Sequence, residues 1–215
     1  MKKVIEITGP AGVGKSFLCN NLCSNLDVIQ QKRPPIFSLP FIRSLSIIPS
    51  LFFLKRGRLH IYIKFLINLG KWTIINNKKQ GIYIIDEGPW HFLCGSLLPR
   101  AIDKKKQTFL KHWKFYVNLP DIIVYLKADP DFIKNRRIMR NREKEKTLVA
   151  REIKDAINEF ESSLYFLKSL YPQVELITYK IEDNTSIDQI TDSIYKTIEN
   201  NIKKSQLHNE INIHI

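Results

Sequence analysis

Cysteine is scarce in this chain, which contains only Cys19, Cys23 and Cys94 among 215 residues. The number is odd, and Cys19 and Cys23 lie one helical turn apart with no nearby pair of histidines to complete a metal site. A disulfide-stapled module and a cysteine-based zinc module are therefore excluded. We expect reduced thiols with a structural role, as is usual in a reducing compartment.

Long uninterrupted apolar runs are also missing. The N-terminal residues have neither the apolar length nor the cleavage pattern of a secretory signal. Between residues 59 and 75, polar side chains recur every three or four positions, the pattern of an amphipathic helix. Residues 36–54 are long enough to cross a membrane, but Pro40, Arg43 and Pro49 disfavour a span. We expect a cytoplasmic protein without a transmembrane helix; contact of 36–54 with a lipid surface stays open.

Acidic residues are outnumbered by basic ones, 21 to 34, which gives a formal net charge of +13. Such a balance indicates an anionic partner: a nucleotide, a phosphorylated metabolite, a nucleic acid or a membrane surface. The chain has no recognition-helix signature, no RNA-binding aromatic pair and no zinc motif. Nucleic acid is therefore the least favoured of these partners.

Short apolar runs alternate with helical patterns along the chain. The predicted strands are residues 4–8, the stretch IYIIDEG from Ile82, the stretch DIIVYLKADP from Asp121 and residues 174–180, with a weaker fifth at 28–31. The predicted helices cover residues 14–26, 104–118, 149–171 and 187–204. Because the strands are apolar without alternation, they are expected to be covered on both faces. The sequence therefore predicts one α/β domain with a parallel sheet wrapped by helices.

Residues 9–16, GPAGVGKS, match the P-loop pattern G-x-x-x-x-G-K-[ST] between a predicted strand and a predicted helix. Glycines let successive backbone N–H groups point at an anion, and the helix adds its positive end. We expect Lys15 to reach the β- and γ-phosphates of a nucleotide and Ser16 to ligate Mg²⁺. The candidate nucleotide-binding residues are Gly9, Pro10, Ala11, Gly12, Val13, Gly14, Lys15, Ser16 and Phe17.

Two acidic residues, Asp86 and Glu87, close the strand that begins at Ile82. A P-loop nucleotide needs a carboxylate at a neighbouring strand end to hold the magnesium or its water, and a second carboxylate can accept a hydroxyl proton. Both are candidate catalytic residues, and Asp86 joins Ser16 as a candidate metal ligand. The sequence leaves open which carboxylate serves the metal. Trp90 and His91 follow closely and are candidate substrate contacts.

A basic run at residues 134–147 contains Arg136 and Arg140, which are four apart and share a helix face, with Arg142 just beyond. Planar guanidinium groups can neutralise the charge on a phosphoryl group in transfer. Beside a P-loop we interpret this run as a mobile lid whose three arginines are candidate catalytic residues. A solvated helix with ion pairs along it is the alternative.

These motifs resemble the P-loop kinases of the thymidylate kinase and deoxynucleoside kinase group. The lid of those families follows a pattern close to P-x(5)-R-x(3)-R-x-R-E, which is matched here by Pro130, Arg136, Arg140, Arg142 and Glu143. The resemblance implies a three-layer P-loop NTPase fold, with a five-stranded parallel sheet flanked by helices, an arginine-rich lid, and ATP as donor. It implies one kinase domain over 1–205, acceptor-pocket and cover helices at 36–80, and a tail at 206–215.

The departures from these families concern the acceptor. Deoxynucleoside kinases commonly carry Glu-Arg-Ser at the catalytic strand end and thymidylate kinases Asp-Arg, whereas Glu87 follows Asp86 here. Lys32-Arg33-Pro34-Pro35 stands where those families often have a Glu-Pro element. Arg33 is a candidate contact for an anionic acceptor, and an ordinary turn residue is the alternative.

The expected function is transfer of the γ-phosphoryl group of Mg-ATP to a small molecule, with nucleosides and nucleotides as the first candidates. One alternative is a nucleotide-dependent NTPase or switch that acts on a protein or a membrane surface. Another is a kinase for a sugar or lipid-like hydroxyl. The oligomeric state is open, a homodimer included.

Overall fold

The computed structural model of the chain describes residues 2–25, 28–30, 75, 80–97, 119–139, 150–182 and 186–211. The candidate residues Arg33, Arg140 and Arg142 lie outside the described residues. So do the predicted helix at 104–118, the lid beyond residue 139, and the predicted acceptor-pocket segment except for residues 75 and 80.

The described elements alternate between strands and helices in the predicted order. The strands are β1 (Lys2–Thr8), β2 (Val28–Gln30), β3 (Gly81–Asp86), β4 (Ile122–Ala128) and β5 (Glu175–Ile181). The helices are α1 (Lys15–Asn25), α2 (Pro89–Phe92, continued by a π-helical segment at Leu93–Leu97), α3 (Pro130–Met139), α4 (Ala150–Leu170) and α5 (Ile187–Ile211). The last helix passes the predicted end at residue 204 and takes in residues 206–211 of the predicted tail.

All five strands are parallel, in the order β2-β3-β1-β4-β5. The predicted three-layer α/β fold is therefore confirmed, and the weak prediction of a strand near residue 28 is correct. In the register, Ile7 lies opposite Asp86 and Thr8 lies opposite Tyr125. The carboxyl ends of β1, β3 and β4 thus meet at one edge of the sheet, where open α/β sheets bind ligands.

Each face of the sheet packs against its own group of apolar side chains. On one face, Ile5 and Ile7 of β1 pack with Leu22 of α1 and Ile194 of α5. On the other face, Val4 of β1 packs in a cluster that includes residues of β3, α2 and α4. Two helical layers therefore cover the sheet, as the uniformly apolar strands predict. Within the described ranges, no helix is both long enough and apolar enough to cross a bilayer.

Successive side chains of β1 point to opposite faces of the sheet, and two polar residues lie on the same face as Val4. Glu6 and Thr8 share the parity of Val4, and both are fully buried. A buried carboxyl and hydroxyl in the central strand need hydrogen-bond partners. Both partners come from the segment that follows β3.

Candidate functional site

The turn between β1 and α1 has a backbone that only glycine accepts easily. Gly9 has φ of +146° and Gly12 has φ of +101°. A Cβ atom on Gly9 would lie 2.5 Å from the backbone oxygen of Leu126 in β4. The predicted P-loop is therefore a tight turn built against the end of the neighbouring strand.

Lys15 begins α1, and its ammonium group lies within this turn. The side chain is 5% exposed, and Nζ donates to the backbone oxygens of Gly9 at 3.0 Å and Pro10 at 3.1 Å. The same Nζ lies 3.2 Å from Oε1 of Glu87, just beyond β3. One cation thus joins the P-loop to the acidic turn that the sequence singled out.

Ser16 and Asp86 meet directly. The Ser16 hydroxyl donates to Asp86 Oδ2 at 2.6 Å, although the two residues are 70 positions apart. A hydroxyl and a carboxylate oxygen side by side at the start of a P-loop helix fit Mg²⁺, which takes hard oxygen ligands. The two acidic residues therefore have different neighbours: Asp86 contacts Ser16, whereas Glu87 contacts Lys15.

Glu87 has an unusual backbone for its residue type. Its φ is +55°, in the left-handed region that residues with a Cβ seldom adopt, and its N–H donates to the oxygen of Ile7 at 3.3 Å. Its carboxylate is 40% exposed and lies between Lys15 and Nε2 of His91, which is 3.7 Å away. Non-glycine residues in this conformation cluster at functional sites.

His91 lies at the centre of the turn's contacts. Its Nδ1 is 3.1 Å from the Thr8 hydroxyl, and its ring lies 5.5 Å from that of Phe160 in α4. Burial, and secondarily the charge of Lys15, lower the pKa of His91 to about 4, while Glu87 opposes the shift. The imidazole is therefore neutral near pH 7 and supplies no positive charge to the site.

Glu6 is a site residue that sequence reasoning missed. Its Oε1 accepts the His91 N–H at 2.6 Å and its Oε2 accepts the Trp90 N–H at 3.2 Å. Gly88, which precedes α2, has no side chain to cap the helix, and a Cβ there would lie 2.6 Å from Glu6. Glu6 thus caps α2 from the neighbouring strand. The signal available in the sequence was a charged residue within the mostly apolar run of residues 4–8.

Helix α3 brings arginines against the P-loop. Arg137 Nε donates to the backbone oxygen of Ala11 at 2.9 Å. The guanidinium of Arg136 lies 4.7 Å from the Phe132 ring centre, and its Nη1 is 3.4 Å from where a Cβ on Gly14 would stand. The structure thus places Arg136 beside the loop. Arg137 was not among the candidates, although it stands in the same basic run.

Comparison with known proteins shows which solved structures share this fold. No family model matches the chain, and no curated protein matches it. A solved structure of deoxyadenosine kinase from M. mycoides with bound dATP has a TM-score of 0.60 at 15% identity, covering 92% of this chain and 99% of that one. Thymidylate kinase from Candida albicans has a TM-score of 0.55 at 17% identity, covering 93% and 92%. This chain has the fold of the P-loop deoxynucleoside and nucleotide kinases.

Two further candidate site residues, Trp90 and Phe17, differ in how far their side chains are exposed to solvent. Trp90 is 1% exposed and packs against Tyr171 with ring centres 6.0 Å apart, so its side chain belongs to the core. Phe17, in the first turn of α1, is 55% exposed. In the described part of the chain, no three His, Cys, Asp or Glu side chains form a metal cluster.

Proposed function

We propose that this protein is a kinase that transfers the γ-phosphoryl group of Mg-ATP to a small-molecule acceptor, a nucleoside or a nucleotide first of all. One observation carries the proposal: Ser16 meets Asp86 and Lys15 meets Glu87 at the same edge of the sheet, at 2.6 Å and 3.2 Å. The likeness in fold to deoxyadenosine kinase and thymidylate kinase supports the acceptor class.

Donor binding follows from the P-loop. Backbone N–H groups of residues 9–16 and the Lys15 ammonium hold the triphosphate, which requires Lys15 to exchange part of its present contacts for phosphate oxygens. Ser16 and Asp86 are the residues that would hold Mg²⁺. When bound, that ion neutralises charge on the phosphate oxygens.

Transfer requires a new P–O bond from the acceptor oxygen to the γ-phosphorus while the bond to the β,γ-bridging oxygen breaks and ADP leaves with the electron pair. We assign Asp86, beside Ser16, to the Mg²⁺, and Glu87, whose side chain is 40% exposed, as the group that takes an acceptor proton. Arg136 lies beside the loop and stabilises charge on the moving group, with Arg140 and Arg142 completing the lid. Arg137 holds α3 against Ala11.

The test is a coupled assay of ADP release over a panel of nucleosides, nucleotides and sugars, with the phosphorylated product identified by mass spectrometry. Lys15→Ala should lower turnover at least ~100-fold, because it removes a preorganised cation from the transfer site. Lys180→Ala is the matched control, since Lys180 is an exposed lysine paired with Glu182. Acceptor-independent ATP hydrolysis alone would favour the NTPase alternative and contradict the proposal.

A further inference from the structure

Helix α3 presents two neighbouring rows of side chains at the P-loop. Residues four apart lie on the same side of a helix, so Ile133 and Arg137 form one row, and Phe132 and Arg136 form the next. The first row packs against Gly12, where a Cβ atom would lie 3.3 Å from Arg137 Cγ and 3.6 Å from Ile133 Cγ2. The second row lies alongside the same loop.

The first row fixes the helix in place. Ile133 is completely buried, and its N–H donates to the backbone oxygen of Asp129 at 3.1 Å. Arg137 Nε donates to the backbone oxygen of Ala11 at 2.9 Å. The helix is therefore joined to the core in its first turn and to the P-loop one turn later. The side chains of the second row start from a backbone that is held on the loop.

The second row pairs an aromatic ring with a cation. Arg136 Cζ lies 4.7 Å from the centre of the Phe132 ring, within the range of a cation–π contact. The ring is partly buried and packs against the core cluster that includes residues of β1 and α1. Arg136 Nη1 lies 3.4 Å from where a Cβ on Gly14 would stand. One guanidinium group is thus held against a ring and beside the phosphate-binding turn.

An aromatic ring holds a guanidinium group differently from a carboxylate. A carboxylate occupies N–H donors and offsets the positive charge, whereas a ring stacked on the guanidinium face uses none of the five N–H donors, which lie in the plane of the group. The ring also restricts a long and flexible side chain before any ligand arrives. Less conformational entropy is then lost when Arg136 meets a phosphate group.

Resting on the proposed kinase function, we propose that Phe132 is a positioning residue, which holds the Arg136 guanidinium group where it meets the phosphoryl group in transfer. In this role Phe132 needs no contact with nucleotide or acceptor, because it acts through Arg136. Donors that are fixed in advance stabilise a transition state better than donors that must first be ordered. Loss of the ring is therefore expected to lower turnover more than it weakens nucleotide binding.

The experiment measures kcat and the KM for Mg-ATP with deoxyadenosine, thymidine or whichever other member of the acceptor panel the wild-type protein phosphorylates fastest. Phe132→Leu keeps an apolar side chain and removes the ring, so it should lower kcat ~3- to 10-fold, the effect of one cation–π contact. The KM for Mg-ATP should change less than ~2-fold. Phe132→Tyr keeps the ring and should retain at least about half of the wild-type kcat.

A double-mutant cycle separates a role through Arg136 from a role in packing. Arg136→Ala alone should lower kcat ~100-fold, the usual effect of losing one preorganised donor. In that background Phe132→Leu should lower kcat less than ~2-fold further, because no guanidinium group is left to position. An equal fold loss from Phe132→Leu in both backgrounds would overturn the inference.

Phe166→Leu is the matched control, because Phe166 is also a partly buried phenylalanine packed against the core, on α4. It should leave kcat within ~2-fold of the wild-type value, since it has no contact with the arginine. Circular dichroism and urea unfolding establish that each variant is folded under the assay conditions. If Phe132→Leu does not fold, Phe132→Met takes its place and should show the same loss, because its flexible side chain fills irregular gaps.

The outcomes separate this inference from the function on which it rests. Intact transfer in the wild-type protein, with equal losses in Phe132→Leu and Phe166→Leu, overturns the inference and leaves the kinase function standing. A Phe132→Tyr variant as impaired as Phe132→Leu does the same. Transfer to no acceptor by the wild-type protein overturns the proposed function and the inference with it.

Discussion

Replacement of Glu6 by glutamine tests whether the buried carboxylate organises the site. The carboxylate accepts two backbone N–H groups, at 2.6 Å and 3.2 Å. Glutamine keeps one acceptor oxygen and turns an amide NH₂ toward the other N–H, so one buried donor loses its partner. An unsatisfied buried donor costs ~1–3 kcal/mol, and the remaining bond loses its charge-assisted part. We expect Glu6→Gln to lower the free energy of unfolding by ~2–4 kcal/mol.

The same change should reduce activity in the protein that remains folded. A domain of this kind is stable by ~5–15 kcal/mol, so most of the variant stays native at low temperature. Loosening α2 displaces His91 and the turn that carries Glu87, and misplacement by about 1 Å can cost ~100-fold in rate. We therefore expect kcat/KM to fall ~10- to 100-fold at about 15 °C.

Asp121→Asn is the matched control for Glu6→Gln. The Asp121 carboxylate also accepts a backbone N–H, that of Val4 at 2.7 Å, but at the opposite edge of the sheet from the P-loop. It should lose ~1 kcal/mol of stability with kcat/KM unchanged. Urea unfolding followed by circular dichroism and steady-state kinetics provide both readouts. Unaltered stability of Glu6→Gln, or a loss of kcat/KM no larger than that of Asp121→Asn, would refute the reasoning.

Two further predictions concern the backbone of the loop and the buried imidazole. Gly9→Ala should lose more than ~2 kcal/mol of stability and most nucleotide binding, because the new Cβ would lie 2.5 Å from the backbone oxygen of Leu126. Gly95→Ala is the control: a Cβ there would have its nearest contact at 3.7 Å, so this variant should lose under ~1 kcal/mol. Equal effects of the two substitutions in urea unfolding would be evidence against this steric restriction at Gly9. The pKa of His91 falls from 6.5 to about 4 on folding, so the unfolded chain binds more protons between these values and stability is lost as the pH falls. Between pH 7 and pH 5 the wild-type protein should lose ~2 kcal/mol more than His91→Gln, and equal losses would contradict the shift.

Much of the fold could be predicted from the sequence because its signals are local. The P-loop spacing is fixed within eight positions, and strands covered on both faces are apolar throughout most of their length, as β1, β3 and β4 are. The strand β2 has only three residues, which explains its weak signal. The continuation of α5 to Ile211 has no sharp signal, since no proline or glycine marks its end.

The contacts that sequence reasoning missed are those between distant segments. The Glu6–His91 and Arg137–Ala11 hydrogen bonds span 85 and 126 positions, and each depends on how strands and helices are placed in space. The separation of the two carboxylates, Asp86 toward Ser16 and Glu87 toward Lys15, depends on the left-handed backbone at Glu87. Glutamate seldom adopts that conformation, so the sequence does not indicate it.

Isothermal titration calorimetry with Mg-ATP and Mg-ADP tests the central claim most directly, namely that the loop of residues 9–16 binds nucleotide phosphates. We predict saturable binding by the wild-type protein and by Lys180→Ala, and an affinity at least ~10-fold lower for Lys15→Ala, because a charge-assisted phosphate contact is lost. No binding heat at several temperatures from folded wild-type protein, or equal affinity in Lys15→Ala, would contradict the account.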